Sequence, residues 1–499
     1  MPRITSKKKM RYGSVSIVLT VAVLAVAILS NAIVTALAMR YGWFCNMNPD
    51  SLYPVTDTCY AYLDEYVFSK SDEDIEFIFC AEKEEVLEDG TQAMVHATAA
   101  ELAESYPDRV SISYLNVWEH PKKARSYGVT ASTDVVVRSG DNHRVCTLKD
   151  FFSFSAADTT LPTAYNGEKR FAVAMKAVVS SDTPMAYFTV NHGESFPDYS
   201  LLIAATDAGY TVSYLDALSF DIPEDCDLLV TYNPAQDFTA IDGVSGFSEI
   251  DKLEAYLEKG GNYMVFVSAD TFSAGGFANL EGFLETRGVT FDHRTGEENV
   301  EECYAIRDLD HALSTDGYTL FGKIPEGGKA AEIMEGVGSS LRLSNATSIS
   351  PAKDFTSDGK DSYTKGDYRM TTLLTSYPGA EAWAGGRAAE RTTDGFPLIT
   401  LTTSETQNSH VLVCSSTGFA TEATLQSASY DNSAFLLTAI GAMGKADIPV
   451  QMKSQPFDDT TIDTLTTRQA RNITIVLTAV PTTLVLAAGL IILIRRKFA

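Results

Sequence analysis

The residues with the most chemical promise stand together at Asn191-His192-Gly193-Glu194, directly after the apolar run Tyr187–Val190. A histidine and a carboxylate two positions apart can move a proton, hold a metal or orient a ligand, and a glycine between them frees the backbone to turn. Three readings are open. A metal site needs further ligands, and Asp216, after the next strand-like run, is the best placed. A ligand-contact loop is the second, because open parallel sheets bind ligands at the carboxyl ends of their strands. In the third, His192 and Glu194 simply bond to neighbouring loops across a structural turn. Asn233, at the end of a later strand-like run, joins His192, Glu194 and Asp216 as the candidate ligand- or partner-binding set.

No catalytic set can be built around them. A nucleophile elbow needs Ser or Cys on a tight strand-to-helix turn, usually between glycines, and neither G-x-S-x-G nor G-x-C-x-G occurs. Cys226 precedes its strand, and Ser268 is followed by Ala269-Asp270 with no histidine placed to serve it. Walker A, G-x-G-x-x-G and H-E-x-x-H are absent, and the seven histidines are isolated from one another. The expectation is a chain that is not an enzyme, with no metal and no cofactor.

The elements that must position these residues read as two α/β series. The first runs strand Ile75–Cys80, helix Thr91–Ser105, strand Val110–Val117, helix Lys122–Tyr127 and strand Thr133–Arg138, ending at a Ser139-Gly140-Asp141-Asn142 hairpin turn. This is the order of a thioredoxin-like unit, assigned to 59–165. Its redox chemistry is missing: Cys80-Ala-Glu-Lys holds one cysteine, and Val129-Thr-Ala-Ser-Thr lacks the expected proline. An amphipathic helix, Gly167–Ser180, links the two series over 166–182 and reads as a hinge.

The second series occupies 183–450. Strands Pro184–Val190, Thr211–Leu215, Asp227–Tyr232 and Tyr263–Ser268 alternate with helices Tyr199–Ala208, Ser248–Leu257 and Leu280–Arg287. Continuous apolar strands between helices predict a parallel sheet covered on both faces. Gly-, Ser- and Thr-rich sequence from about 300 to 395 reads as a β-rich insertion, after which Ser409–Ser415 and Phe435–Met443 return to the sheet.

The ends carry a different signal. Val15–Met39 and Ile473–Ile494 contain no charged residue, and as helices they would span about 37 and 33 Å, more than the roughly 30 Å of a bilayer core. Arg3, Lys7, Lys8, Lys9 and Arg11 precede the first run, and Arg495, Arg496 and Lys497 follow the second. Both clusters predict cytoplasmic tails (1–14 and 495–499), transmembrane helices at 15–39 and 473–494, connectors at 41–58 and 451–472, and an extracytoplasmic ectodomain at the plasma membrane. A cleaved signal peptide ending near Ala36-Leu37-Ala38 is the competing reading. Residues 41–472 hold all 65 acidic residues and 30 basic ones, a net of −35, which argues against nucleic acid and anionic membrane surfaces as partners. Seven cysteines without a C-x-x-C show no zinc or redox spacing, although Cys45 and Cys59 flank a short loop and could pair.

The order of local motifs resembles one family. His192-Gly193-Glu194, Gly209-Tyr210, Ile222-Pro223-Glu224-Asp225-Cys226-Asp227, Asn233-Pro234 and Tyr256-Leu257 with Gly260-Gly261 follow the pattern of the auxiliary components of ABC transporters of the gliding-motility type, the GldG-like family. Asn191 stands where that family has the first glycine of its turn, and Cys226 departs from its lead into the strand. The resemblance implies a thioredoxin-like domain, a glutamine-amidotransferase-like α/β domain without the catalytic cysteine, and association with an ABC ATPase and permease. On this reading the chain is a non-catalytic, membrane-anchored accessory subunit of an ABC-2-type transport system. The alternatives are an anchored hydrolase or transferase of envelope polymers and a stand-alone extracytoplasmic ligand-binding module.

Overall fold

The computed structural model describes residues 53–444 apart from 156–157, 181–182, 197, 241–247, 272–275, 296–300, 385, 393 and 428, together with 452, 454–457, 468–469, 471–476, 479 and 483. The chain divides into the compact units Met1–Pro54 and Val55–Ala499, and the elements below all belong to the second.

The first sheet has the order β2-β1-β3-β4, with β1 Ile75–Phe79, β2 Val110–Tyr114, β3 Val135–Ser139 and β4 Asn142–Cys146. β1 runs parallel to β2 and antiparallel to β3. Helix α1 (Gly90–Ser105) connects β1 to β2 and is capped by Asp89, whose carboxylate accepts from the amides of Thr91 and Gln92. Helix α2 (Gly167–Val179), read from sequence as a hinge, buries most of its length against this sheet. Its Phe171 ring lies 4.6 Å from Phe77 and 5.1 Å from Phe151. A hairpin of β5 (Phe152–Ser155) and β6 (Asp158–Tyr165) precedes it and takes Gln455–Pro456 as a third strand.

The second sheet is nine-stranded. Its strands are β7 Met185–Thr189, β8 Thr211–Leu215, β9 Cys226–Tyr232, β10 Asn262–Phe266, β11 Thr356–Ser357, β12 Ser362–Lys365, β13 Tyr368–Thr375, β14 Pro397–Ser404 and β15 Ser409–Cys414. They are ordered β11-β12-β13-β14-β15-β10-β9-β7-β8. Side chains alternate between two cores, as a two-residue pleat requires. Leu228, Val230, Met264 and Phe266 face one, with helices α3 (Ser200–Asp207) and α6 (Asn432–Ala442); Leu229, Tyr263 and Val265 face the other, with α4 (Glu249–Glu258) and α5 (Ala278–Thr286).

Two expectations change here. The five strands β8, β7, β9, β10 and β15 are parallel, but β14, β13, β12 and β11 continue the same sheet antiparallel. Part of the supposed β-rich insertion is therefore sheet. The cause is threonine. Thr371, Thr372, Thr400 and Thr402 are buried in β13 and β14, where a β-branched side chain suits a strand and a hydroxyl can reach a carbonyl of a neighbouring element, as Thr402 Oγ1 does at Arg287.

The second correction concerns the flanking transmembrane helices. Among the described residues, no helix is long and apolar enough to cross a membrane. The expected span 15–39 lies outside the described residues, as does most of 473–494; the helical residues described there, 471–476, rise only about 9 Å against the roughly 30 Å required. The fold that stands is mixed α/β with extensive multi-sheet β structure.

Candidate functional site: the switch point of the central sheet

The order β8-β7-β9-β10-β15 places the second strand of this series on one side of the first and the third on the other. The chain reverses direction across β7, and the crevice beyond the carboxyl ends of β7 and β9 is where such sheets bind ligands. His192 and Glu194 follow β7, Asp216 follows β8 and Asn233 follows β9. All four candidates thus share the expected edge.

The geometry at that edge is closed. Three left-handed residues, Asn191 (φ 78°), Gly193 (φ 72°) and Asn233 (φ 49°), bend the two loops toward each other. The His192 carbonyl accepts from the amides of Ala235 (2.7 Å) and Gln236 (2.9 Å). A Cβ at Gly193 would come within 2.9 Å of the Ala235 Cβ, so the loops touch backbone to side chain. The His192 ring, 4% exposed, stacks on Phe238 at 4.2 Å and 10°.

Both ring nitrogens are committed. Nδ1 meets Glu194 Oε1 at 3.0 Å, and Nε2 meets Glu249 Oε1 at 2.9 Å. Glu194 Oε2 also accepts from the His192 amide, and Glu249 Oε2 accepts from the Thr239 amide and hydroxyl. Burial disfavours the charged imidazole, but the hydrogen bonds and charges of Glu194 and Glu249 outweigh it and hold His192 at about 9. Burial likewise opposes ionisation of both carboxyls, yet hydrogen bonding to His192 keeps Glu194 and Glu249 below the usual carboxylate range. A doubly donating imidazolium has no lone pair with which to act as a base. The arrangement can pin two loops and the first turn of α4; it offers no free acid–base group to a substrate.

The remaining candidates lie apart from this network. Asp216 is partly exposed and lies beside Asn191; its carboxylate accepts from the Ser219 amide, and bonding to Ser219 holds it below its ordinary value. Asn233 Oδ1 accepts from Thr271 Oγ1 at 2.7 Å. The structure therefore joins His192 with Glu194 and leaves Asp216 and Asn233 outside their contacts. Glu249, Phe238 and Thr239, which complete the network, were absent from the sequence set. Glu249 carried one usable signal: it opens a helix capped by Ser248, and that helix begins at the same edge of the sheet at which β9 ends.

The described cysteines are free thiols. Cys59 donates weakly to the Glu168 carbonyl (3.9 Å), and Cys45 lies outside the described residues. Burial pushes Cys80 and Cys414 up to about 12 and Cys146 to about 11, which keeps them protonated and unreactive. A cavity of about 240 Å³ lies between α2 and α3, lined in part by Asn166, Lys169, Arg170, Asp198 and Asp207. Within it Asp207 binds Arg170 (2.6 Å) and Lys169 (3.1 Å).

No family model matches the chain, and no curated protein matches it. Among solved structures, it is similar to the mmIFT52 N-terminal domain (16% identity, TM-score 0.37, covering 53% of this chain and 99% of that one). It is also similar to a putative ThuA-like protein from Bacteroides uniformis (10%, TM-score 0.31, 54% and 97%) and to PurLQS from Thermotoga maritima (11%, TM-score 0.28, 52% and 99%). At these scores the similarities carry no argument about function.

Proposed function

We propose that the chain is a non-catalytic accessory subunit of an ABC-2-type transport system, whose α/β body works outside the cytoplasm by binding partners or cargo. The observation that carries the non-catalytic part is the saturated His192–Glu194–Glu249 network. The switch point, where an enzyme of this topology would hold its reacting groups, is filled by bonds between its own loops. The transport part rests on the ordered motifs from His192-Gly193-Glu194 to Gly260-Gly261.

A surface beside the switch point supports binding. The edge strand β8 and the turn after it expose Tyr214 (55%), Leu218 (45%) and Phe220 (65%) around Asp216. Large apolar side chains grouped on a sheet edge are a common mark of a docking surface. Affinity purification of the full chain from its own cells should enrich an ATPase and a multi-span permease. L218S/F220S should weaken that enrichment while leaving the fold intact. Recovery of neither partner contradicts the proposal, as does a turnover activity that H192N abolishes in a folded protein.

A further inference from the structure

A second histidine has partners of a different kind. His293 opens a short strand, His293–Thr295, which pairs antiparallel with Glu301–Cys303 so that His293 stands directly opposite Cys303. Cross-strand neighbours of this type bring their side chains into contact. Cys303 Sγ lies 3.4 Å from His293 Nδ1. On the far side of the ring, Nε2 meets Glu281 Oε2 at 2.6 Å. Glu281 projects from the first turn of α5, whose leading amides, those of Asn279 and Leu280, are capped by Asp237.

Thiol, imidazole and carboxylate therefore form a line in the order nucleophile, base, orienter. The carboxylate fixes the ring and favours its protonated form, so the thiol proton can pass to Nδ1 while Nε2–H stays on Glu281. Hydrogen bonding to Cys303 and to Glu281, against the cost of burial, raises His293 to about 10. The line is not a metal site: sulfur and carboxylate sit at opposite ring nitrogens and cannot converge on one ion, and no group of three metal-ligating side chains is found among the described residues. The His293 and Glu281 side chains are 20% and 21% exposed, so the line reaches the protein surface. Cys303 itself is buried at 7% exposed, beneath these two side chains; Cys80, Cys146 and Cys414 are still more enclosed, and burial holds their thiols protonated.

We propose that Cys303, paired with His293 and oriented through Glu281, is a nucleophilic thiol that undergoes exchange with low-molecular-weight disulfides. The Cys303 thiolate attacks one sulfur of the disulfide. A new S–S bond forms at Cys303, the original S–S bond breaks, and the leaving thiolate carries away its electron pair. The proton left on His293 returns to the leaving thiolate or to solvent. The disulfide is the only oxidant required, and a free thiol reverses the step. The site is independent of the transport proposal.

The test uses the full native chain with excess dithiodipyridine, following thiopyridone release by absorbance and locating the modified peptide by mass spectrometry. Wild type should show one fast phase that maps to Cys303 and disappears in C303S. H293A should slow the phase about tenfold or more, and E281Q should slow it about threefold, with E281D restoring most of the rate. Glu281 is a positioning residue, and rescue by the conservative carboxylate separates that role from a purely structural one. If H293A does not fold, E281Q and E281D decide the matter. A wild type without a fast Cys303 phase, or an E281Q protein as fast as wild type, overturns the proposal.

Discussion

His192 and His293 each hold a partner at both ring nitrogens, yet the two regions do opposite things with the same side chain. At the switch point both partners are carboxylates, Glu194 and Glu249, and the ring is buried against Phe238. The imidazolium is a charged pin between loops. In the hairpin one partner is a carboxylate and the other a thiol, and the ring is partly open to solvent. There the imidazolium can share its proton with a nucleophile. What separates structure from chemistry is the identity of the second partner and the access of water, not the presence of a histidine.

The sharpest way to break the comparison is to delete each ring. H192A leaves Glu194 and Glu249 buried with no counter-charge, and removing one member of a buried ion pair costs about 3–5 kcal/mol. H293A removes partly exposed contacts and should cost about 1 kcal/mol or less. Urea denaturation measures both. The switch-point pair also makes stability depend on pH. His192 is raised from 6.5 to about 9, so its contribution is complete below pH 6.5 and is lost as pH climbs through about 9. At about 1.36 kcal/mol per unit, that loss is at most about 3 kcal/mol. Stability should therefore fall on the alkaline side in wild type and be flatter in H192Q, which urea midpoints across pH 6 to 10 will report. On the acid side, Glu194 and Glu249 lie below the usual carboxylate value, and their contribution should fade only as pH drops beneath about 4.5.

Smaller changes sharpen the picture. G193A places a Cβ on a left-handed residue and within 2.9 Å of Ala235, and should cost about 1–3 kcal/mol. The smallest effect is expected at Asp216. This residue is partly exposed and outside the network, so D216N should leave the urea midpoint unchanged, while any change in partner recovery would place it on the docking surface.

Much of the parallel half of the fold was legible in the sequence because apolar runs such as Asp227–Tyr232 are long enough to be buried on both faces. Glycines also closed the helices between them: Gly209, Gly260 and Gly288 have φ of 93°, 83° and 93°. The antiparallel half was not legible. Its strands β13 and β14 carry threonines that look like loop in one dimension and become core in three. The site divides in the same way. His192 and Glu194 are neighbours in the chain, so their pairing is visible, whereas Glu249 lies 57 residues on and enters only through the sheet order. Cys303 and His293 each looked isolated. They meet because a hairpin register sets them opposite, and Glu281 joins because α5 packs beside that hairpin. The terminal apolar runs show the converse: local composition predicted spanning helices, and no described helix has the length or apolar character to be one.

If the switch-point histidine is a structural pin, its loss must cost the fold more than loss of the hairpin histidine. The most direct test is the unfolding free energy of H192A measured beside that of H293A in the same full chain. H192A should lose at least about 2 kcal/mol more than H293A. Equal losses, or an H192A protein as stable as wild type, would contradict it.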